Sequence, residues 1–185
     1  MKLKPLQAGA LSAAVFAAAT VRGFAAYPGL LVWGAFIGWA SYDHSGADRK
    51  ALYTSSVCMV FGVVMAWLVA VIVAEGWLHL SSSVSSAIAA GLASFLIVLA
   101  SRFEPFSNVP ATFYGFASAF AFLTLTPRAF SIRAMTQWNL ENVLVAVPVS
   151  LLIGSALGVL QGLVAGRLST VSRPVRLSPL QTPSH

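Results

Sequence analysis

Apolar residues in this chain come in blocks of roughly 16 to 25, the length a helix needs to cross about 30 Å of hydrocarbon. The blocks run Leu6 to Val21, Pro28 to Tyr42, Ala51 to Ala74, Val84 to Ala100, Val109 to Thr126 and Val143 to Ala165. Between them little is left to face water. Only 9% of the 185 residues are charged and 58% are hydrophobic, whereas a soluble domain is about a quarter charged. The expected fold is therefore all-α: a polytopic transmembrane helical bundle of about six spans. The second block is short and rich in glycine, so it can span only where the bilayer thins or where neighbours cover an irregular backbone.

The charge pattern orients the bundle. With the N terminus cytoplasmic, Lys2, Lys4, Arg49, Lys50, Arg102, Arg167, Arg173 and Arg176 lie inside. Arg22, Arg128 and Arg133 lie outside. Eight against three favours both termini in the cytoplasm by the positive-inside rule. Trp77, Phe130 and Trp138 then fall at the outer interface, where amphipathic rings collect. The net charge of +6 sits at block ends and so writes topology; nucleic acid is not an expected partner. Lys2 and Lys4 before an apolar run resemble a secretory signal, but Arg22 interrupts the approach to a cleavage site, so a retained first span is expected. Residues 1–168 read as the transmembrane domain. Residues 169–185, basic and containing proline, read as a disordered cytoplasmic tail that meets anionic lipid.

The halves echo each other. Arg22 ends the first block as Arg102 ends the fourth, and Trp33-Gly34 aligns with Tyr114-Gly115. Trp39 then meets Phe120, Ala40 meets Ala121, and Phe61-Gly62 can be laid beside Ile153-Gly154. Three spans per half is an odd number, so such halves would be inverted, the arrangement that builds a midplane site in many transporters. Shared apolar composition produces similar echoes without any structural repeat, and both explanations stay open.

Trp33-Gly34-Ala35-Phe36-Ile37-Gly38-Trp39-Ala40-Ser41-Tyr42, Gly62-Val63-Val64-Met65-Ala66-Trp67, and Val109-Pro110-Ala111-Thr112-Phe113-Tyr114-Gly115 through Phe120-Ala121 resemble a YcdZ-like family of small bacterial inner-membrane proteins, a domain of unknown function. The likeness covers the body of the chain from first span to sixth. It implies residence in the bacterial inner membrane, and no chemistry comes with it.

Glycines at four-residue spacing, Gly34 with Gly38 and Gly154 with Gly158 and Gly162, let helix backbones approach closely. The last three are assigned to helix packing. A solute path would run past Trp33, Gly34, Gly38, Asn108, Thr112, Tyr114 and Gly115. Pro28 and Pro110 mark helix starts, where a missing N–H costs nothing, and Pro148 a kink in the sixth span. No Asp, Glu, His, Lys or Arg lies mid-span, which disfavours a proton-coupled pump built on a buried carboxylate. Asp43, His44 and Asp48 share a turn, but so short a cluster is more often a solvated loop than a metal site. Cys58 is read as a small core residue.

Two functions remain from these residues. One is a channel or facilitator for a small neutral solute; the other is a non-transporting scaffold or accessory subunit. Catalysis is not expected, since no nucleophile and base occur together at membrane depth, and no cofactor or metal is called for. The expected partners are the bilayer, a small solute and further copies of the chain.

Overall fold

The computed structural model describes residues 2–169, and these are helical almost throughout. Of the predicted tail at 169–185, all but Ser169 lies outside the described residues. The helices are α1 (Pro5–Phe24), α2 (Val32–His44), α3 (Arg49–Ala74), α4 (Ser82–Ala100), α5 (Val109–Leu125), α6 (Ile132–Thr136) and α7 (Val143–Leu168), with a 3-10 turn at Glu104–Phe106. Three of them, α3, α4 and α7, are long and apolar enough to cross a membrane; α5, at 17 residues, is a shorter apolar helix. In α1 the Ala, Gly, Ser and Thr content dilutes the apolar character.

The second block departs most from expectation. Its helix begins at Val32, four residues after Pro28, and its 13 residues reach only about 20 Å at 1.5 Å per residue. Pro28 does not start a helix. It belongs to a turn in which Gly29 takes φ +102°, a backbone open mainly to glycine, and Leu30 N–H returns to the Tyr27 carbonyl at 3.2 Å. Pro110 behaves as expected, in the first turn of α5. Helix α7 runs on through Pro148. Side chains cap four helices: Asp48 accepts from Ala51 N–H, Asn108 from Ala111 N–H, Ser131 from Ala134 N–H, and Asn142 from Leu144 N–H. Each carboxylate, amide or hydroxyl oxygen satisfies a donor that the first helical turn leaves unpaired.

The packing scheme is the same when α1, α2 and α3 are exchanged for α4, α5 and α7. Helix α2 lies along α7 as α5 lies along α3, α1 leans on α7 as α4 leans on α3, and α3 meets α7 at the centre. Helices α2 and α7 run in the same sense, since Leu31 meets Ser150, Gly38 meets Ser155, and Tyr42 lies beside Gly158. Helices α2 and α5 run oppositely, the end of one (His44, Ser45) meeting the start of the other (Tyr114, Asn108). The two described ends of the chain meet as well: Leu3 N–H donates to the Leu168 carbonyl at 3.0 Å, and Leu3 pairs with Ser169. The core is built on α3, α5 and α7, with Met59, Val63, Phe122, Val147 and Leu151 fully enclosed.

Candidate functional site at the glycine crossings

Where α2 crosses α7, Gly38 and Gly154 face the opposing backbone. A methyl on Gly38 would meet the Leu151 carbonyl, with its Cα only 2.9 Å away, and one on Gly154 would meet that of Ala35, with its Cα at 2.8 Å. The crossing of α3 with α5 repeats this. A methyl on Gly115 would strike the Met59 carbonyl, and one on Gly62 that of Thr112. In all four cases the atom struck belongs to the residue three before the opposing glycine. Four residues before each of Gly62 and Gly154 stands a small polar group. Cys58 Sγ donates to the Pro105 carbonyl at 3.4 Å, ahead of α5. Ser150 Oγ accepts from Leu31 N–H at 2.9 Å, ahead of α2.

These contacts match Gly38 with Gly115, four residues along from the Gly34–Gly115 pairing expected from sequence. In the register of the crossings Phe36-Ile37-Gly38-Trp39-Ala40-Ser41 lies against Phe113-Tyr114-Gly115-Phe116-Ala117-Ser118. The signal was there to be read: four of six positions are identical, and a fifth exchanges one aromatic for another. Gly62 and Gly154 correspond as the sequence reading paired them. Ser41 and Ser118 part company, however. Ser41 Oγ shares a hydrogen bond of 2.8 Å with Ser55, while buried Ser118 Oγ has no partner.

The expected path residues divide into groups. Gly34, backed by Ser150 Cβ and Leu31 Cβ, and Gly38 lie against α7, Gly115 lies against α3, and Trp33 packs half-buried on the core. Asn108, Thr112 and Tyr114 gather at the start of α5. Asn108 Nδ2 donates to Ser45 Oγ at 2.8 Å, Thr112 Oγ1 donates to the Asn108 carbonyl at 3.3 Å, and Tyr114 Oη sits 3.2 Å from His44 Nδ1. Of these seven residues, Asn108 lines a cavity of about 350 Å³ with Ser45, Asp48, Lys50, Thr54 and Ser107. A second cavity, of about 540 Å³, lies beyond the far end of α5 between Thr126 and Glu141. Among the expected packing glycines, Gly154 and Gly158 do pack, the latter under Trp39 and Tyr42, but Gly162 faces open space.

Among the described residues Asp43, His44 and Asp48 do not come together as a metal cluster. Asp48 instead holds the start of α3, its Oδ1 2.6 Å from Ala51 N–H. Sequence reasoning missed α6 and the buried Asn142 beneath it. Asn142 Nδ2 donates to the Met135 and Gln137 carbonyls at 3.2 and 2.7 Å; an asparagine just ahead of an apolar run is the signal that could have found this cap.

A family profile, Protein of unknown function (DUF1097), matches residues 10–166. The chain belongs to the DUF1097 family. The match begins inside α1 and ends two residues before the end of α7, so the DUF1097 body contains both glycine crossings. Comparison with curated proteins and with solved structures returned no match.

Proposed function

We propose that this DUF1097 protein is a facilitator for a small neutral solute, built from two inverted three-helix halves in a bacterial inner membrane. The narrower YcdZ-like likeness belongs to the same reading. The observation that carries it is the exchange of α1, α2 and α3 for α4, α5 and α7 without change in packing scheme, with α2 and α5 antiparallel. Inverted halves of three spans are how many transporters place a site at the midplane. The juxtaposed chain ends favour an even number of crossings and, with the positive-inside count, a cytoplasmic N and C terminus. Short α2 fits such a body, since its preceding turn is backed by Ser150 rather than left to lipid.

In the described conformation the four glycines close both crossings, so passage requires the halves to part along the seam of α2 and α5. The Tyr114–His44 contact spans that seam. Those closed crossings favour a second reading, a scaffold whose glycines serve packing alone.

Liposome swelling with a panel of small neutral solutes separates the two. Substituting Gly115 by leucine would disrupt the crossing itself, so Tyr114→Phe is the better variant: it frees the seam and leaves the core intact. The facilitator reading expects permeation above empty liposomes for at least one solute, altered by Tyr114→Phe. Vesicles as tight as protein-free ones for every solute would overturn it in favour of the scaffold.

A further inference from the structure

The connection between α5 and α7 encloses the larger cavity, about 540 Å³, lined by Thr126, Arg128, Ser131, Arg133, Gln137 and Glu141 among others. That volume lies in the range of small-ligand sites. Two guanidinium groups border it, and neither forms an ion pair within 4.0 Å among the described residues. Glu141 is the one carboxylate in its lining, so the lining carries a net positive charge.

The loop holds them in place at a cost. Arg128 adopts φ +64°, a left-handed backbone that a side chain with Cβ resists. Asn or Gly would be the easy residue there. The conformation is fixed from both sides, by Ser131 Oγ donating to the Arg128 carbonyl at 2.8 Å and by Ala129 N–H donating to Thr126 at 3.2 Å. Below the cavity the floor is anchored to the core: Trp67 Nε1 reaches the Met135 carbonyl at 3.0 Å, and Asn142 bonds the carbonyls of Met135 and Gln137. Next in sequence to the lining residues, Leu125 and Trp138 are 77% and 89% exposed, and Phe130 is exposed too. Apolar and aromatic side chains beside arginines mark the depth of lipid headgroups.

We propose that this cavity binds a phosphate-class oxyanion, held by the forked donors of Arg128 and Arg133. A phosphodiester headgroup and free phosphate share that chemistry. The site stands whether or not the protein passes a solute, because it rests on the loop and its charges alone.

The test uses the full chain in neutral detergent, titrated with inorganic phosphate and with short-chain phosphatidylglycerol while its melting temperature and tryptophan fluorescence are followed. Arg128→Gly removes a guanidinium and relieves the left-handed backbone, so it should fold at least as stably yet lose the ligand-induced shift. Arg133→Gln should weaken binding by about tenfold, the loss of one charge-assisted contact. Arg22→Gln, remote from the cavity, should keep the wild-type response. A response to the lipid alone assigns the site to a headgroup, and a response to phosphate alone assigns it to a soluble anion. No response to either, or one that persists in the Arg128→Gly/Arg133→Gln double variant, overturns the proposal.

Discussion

Replacing Gly115 by alanine adds one methyl group where the structure has no room for it. The new carbon would lie 2.7 Å from the Met59 carbonyl carbon and 2.8 Å from its Cα, and nearer still to the carbonyl oxygen. These are backbone atoms of α3 and cannot rotate away as a flexible side chain would. To restore ordinary carbon separations of about 3.5 Å, α3 and α5 must part by on the order of 1 Å. Neighbours along the seam, Met59 and Phe116 among them, then lose close contact. Overpacking of this kind costs about 1 to 3 kcal/mol and sometimes more, and here the upper part of that range is expected. Gly91 on α4 is the control, since a methyl there meets nothing within 4 Å; alanine at such a position gains about 0.4 to 1 kcal/mol by narrowing the unfolded ensemble. The two variants should therefore differ by about 3 kcal/mol. Reversible unfolding in mixed detergent micelles, followed by tryptophan fluorescence, measures the gap. Gly38→Ala should behave like Gly115→Ala, and because the crossings are separate, the double variant should approach the sum. A Gly115→Ala protein as stable as Gly91→Ala would refute the close-crossing argument.

Asn142→Ala should cost about 2 to 3 kcal/mol in the same assay, because it removes the α7 cap and takes a donor from the Gln137 carbonyl, while the Met135 carbonyl keeps Trp67. Ser118→Ala should be neutral or stabilising, since its buried hydroxyl is unpaired, whereas Ser41→Ala should lose about 1 kcal/mol by orphaning Ser55; equal effects would refute the distinction. Cys58, fully buried, should resist maleimide in intact membranes. In a Cys58→Ser background, Lys50→Cys should label only from the cytoplasmic side and Glu75→Cys only from the other, and the reverse pattern would refute the N-in topology.

The long helices were legible because a run of apolar residues bounded by charge or a capping side chain has one outcome in a bilayer. The helices Arg49–Ala74 and Val143–Leu168 were anticipated as Ala51 to Ala74 and Val143 to Ala165, short by two and three residues at one end. The second block was harder to read. Its hydropathy continues through Tyr27-Pro28-Gly29-Leu30-Leu31, but a positive-φ glycine and a hydrogen bond from Leu31 to a serine 119 residues away end the helix early. Hydropathy carries no record of such a distant partner. The register of the echo was misjudged for a related reason. Trp33-Gly34 attracts the eye because of its tryptophan, yet the residue that matters is the glycine without space for a methyl, and only the opposing helix reveals which one that is. The anchored loop at 126–141 was hard to read because it is held by contacts with Trp67 and Asn142 that hydropathy does not record.

The meeting of Leu3 with Leu168 and Ser169 bears on how the molecule is made. Helix α1 is made before the other described helices, yet its main packing partner, α7, is made after all of them. Until α7 is made, α1 therefore waits with its partner-facing side uncovered, and Gln161 is not yet there to bond the Gly9 carbonyl and Ser12. Assembly can close only when the final span arrives. A chain truncated before α7 would then be recognisable to quality control by its first helix, long after that helix had been inserted.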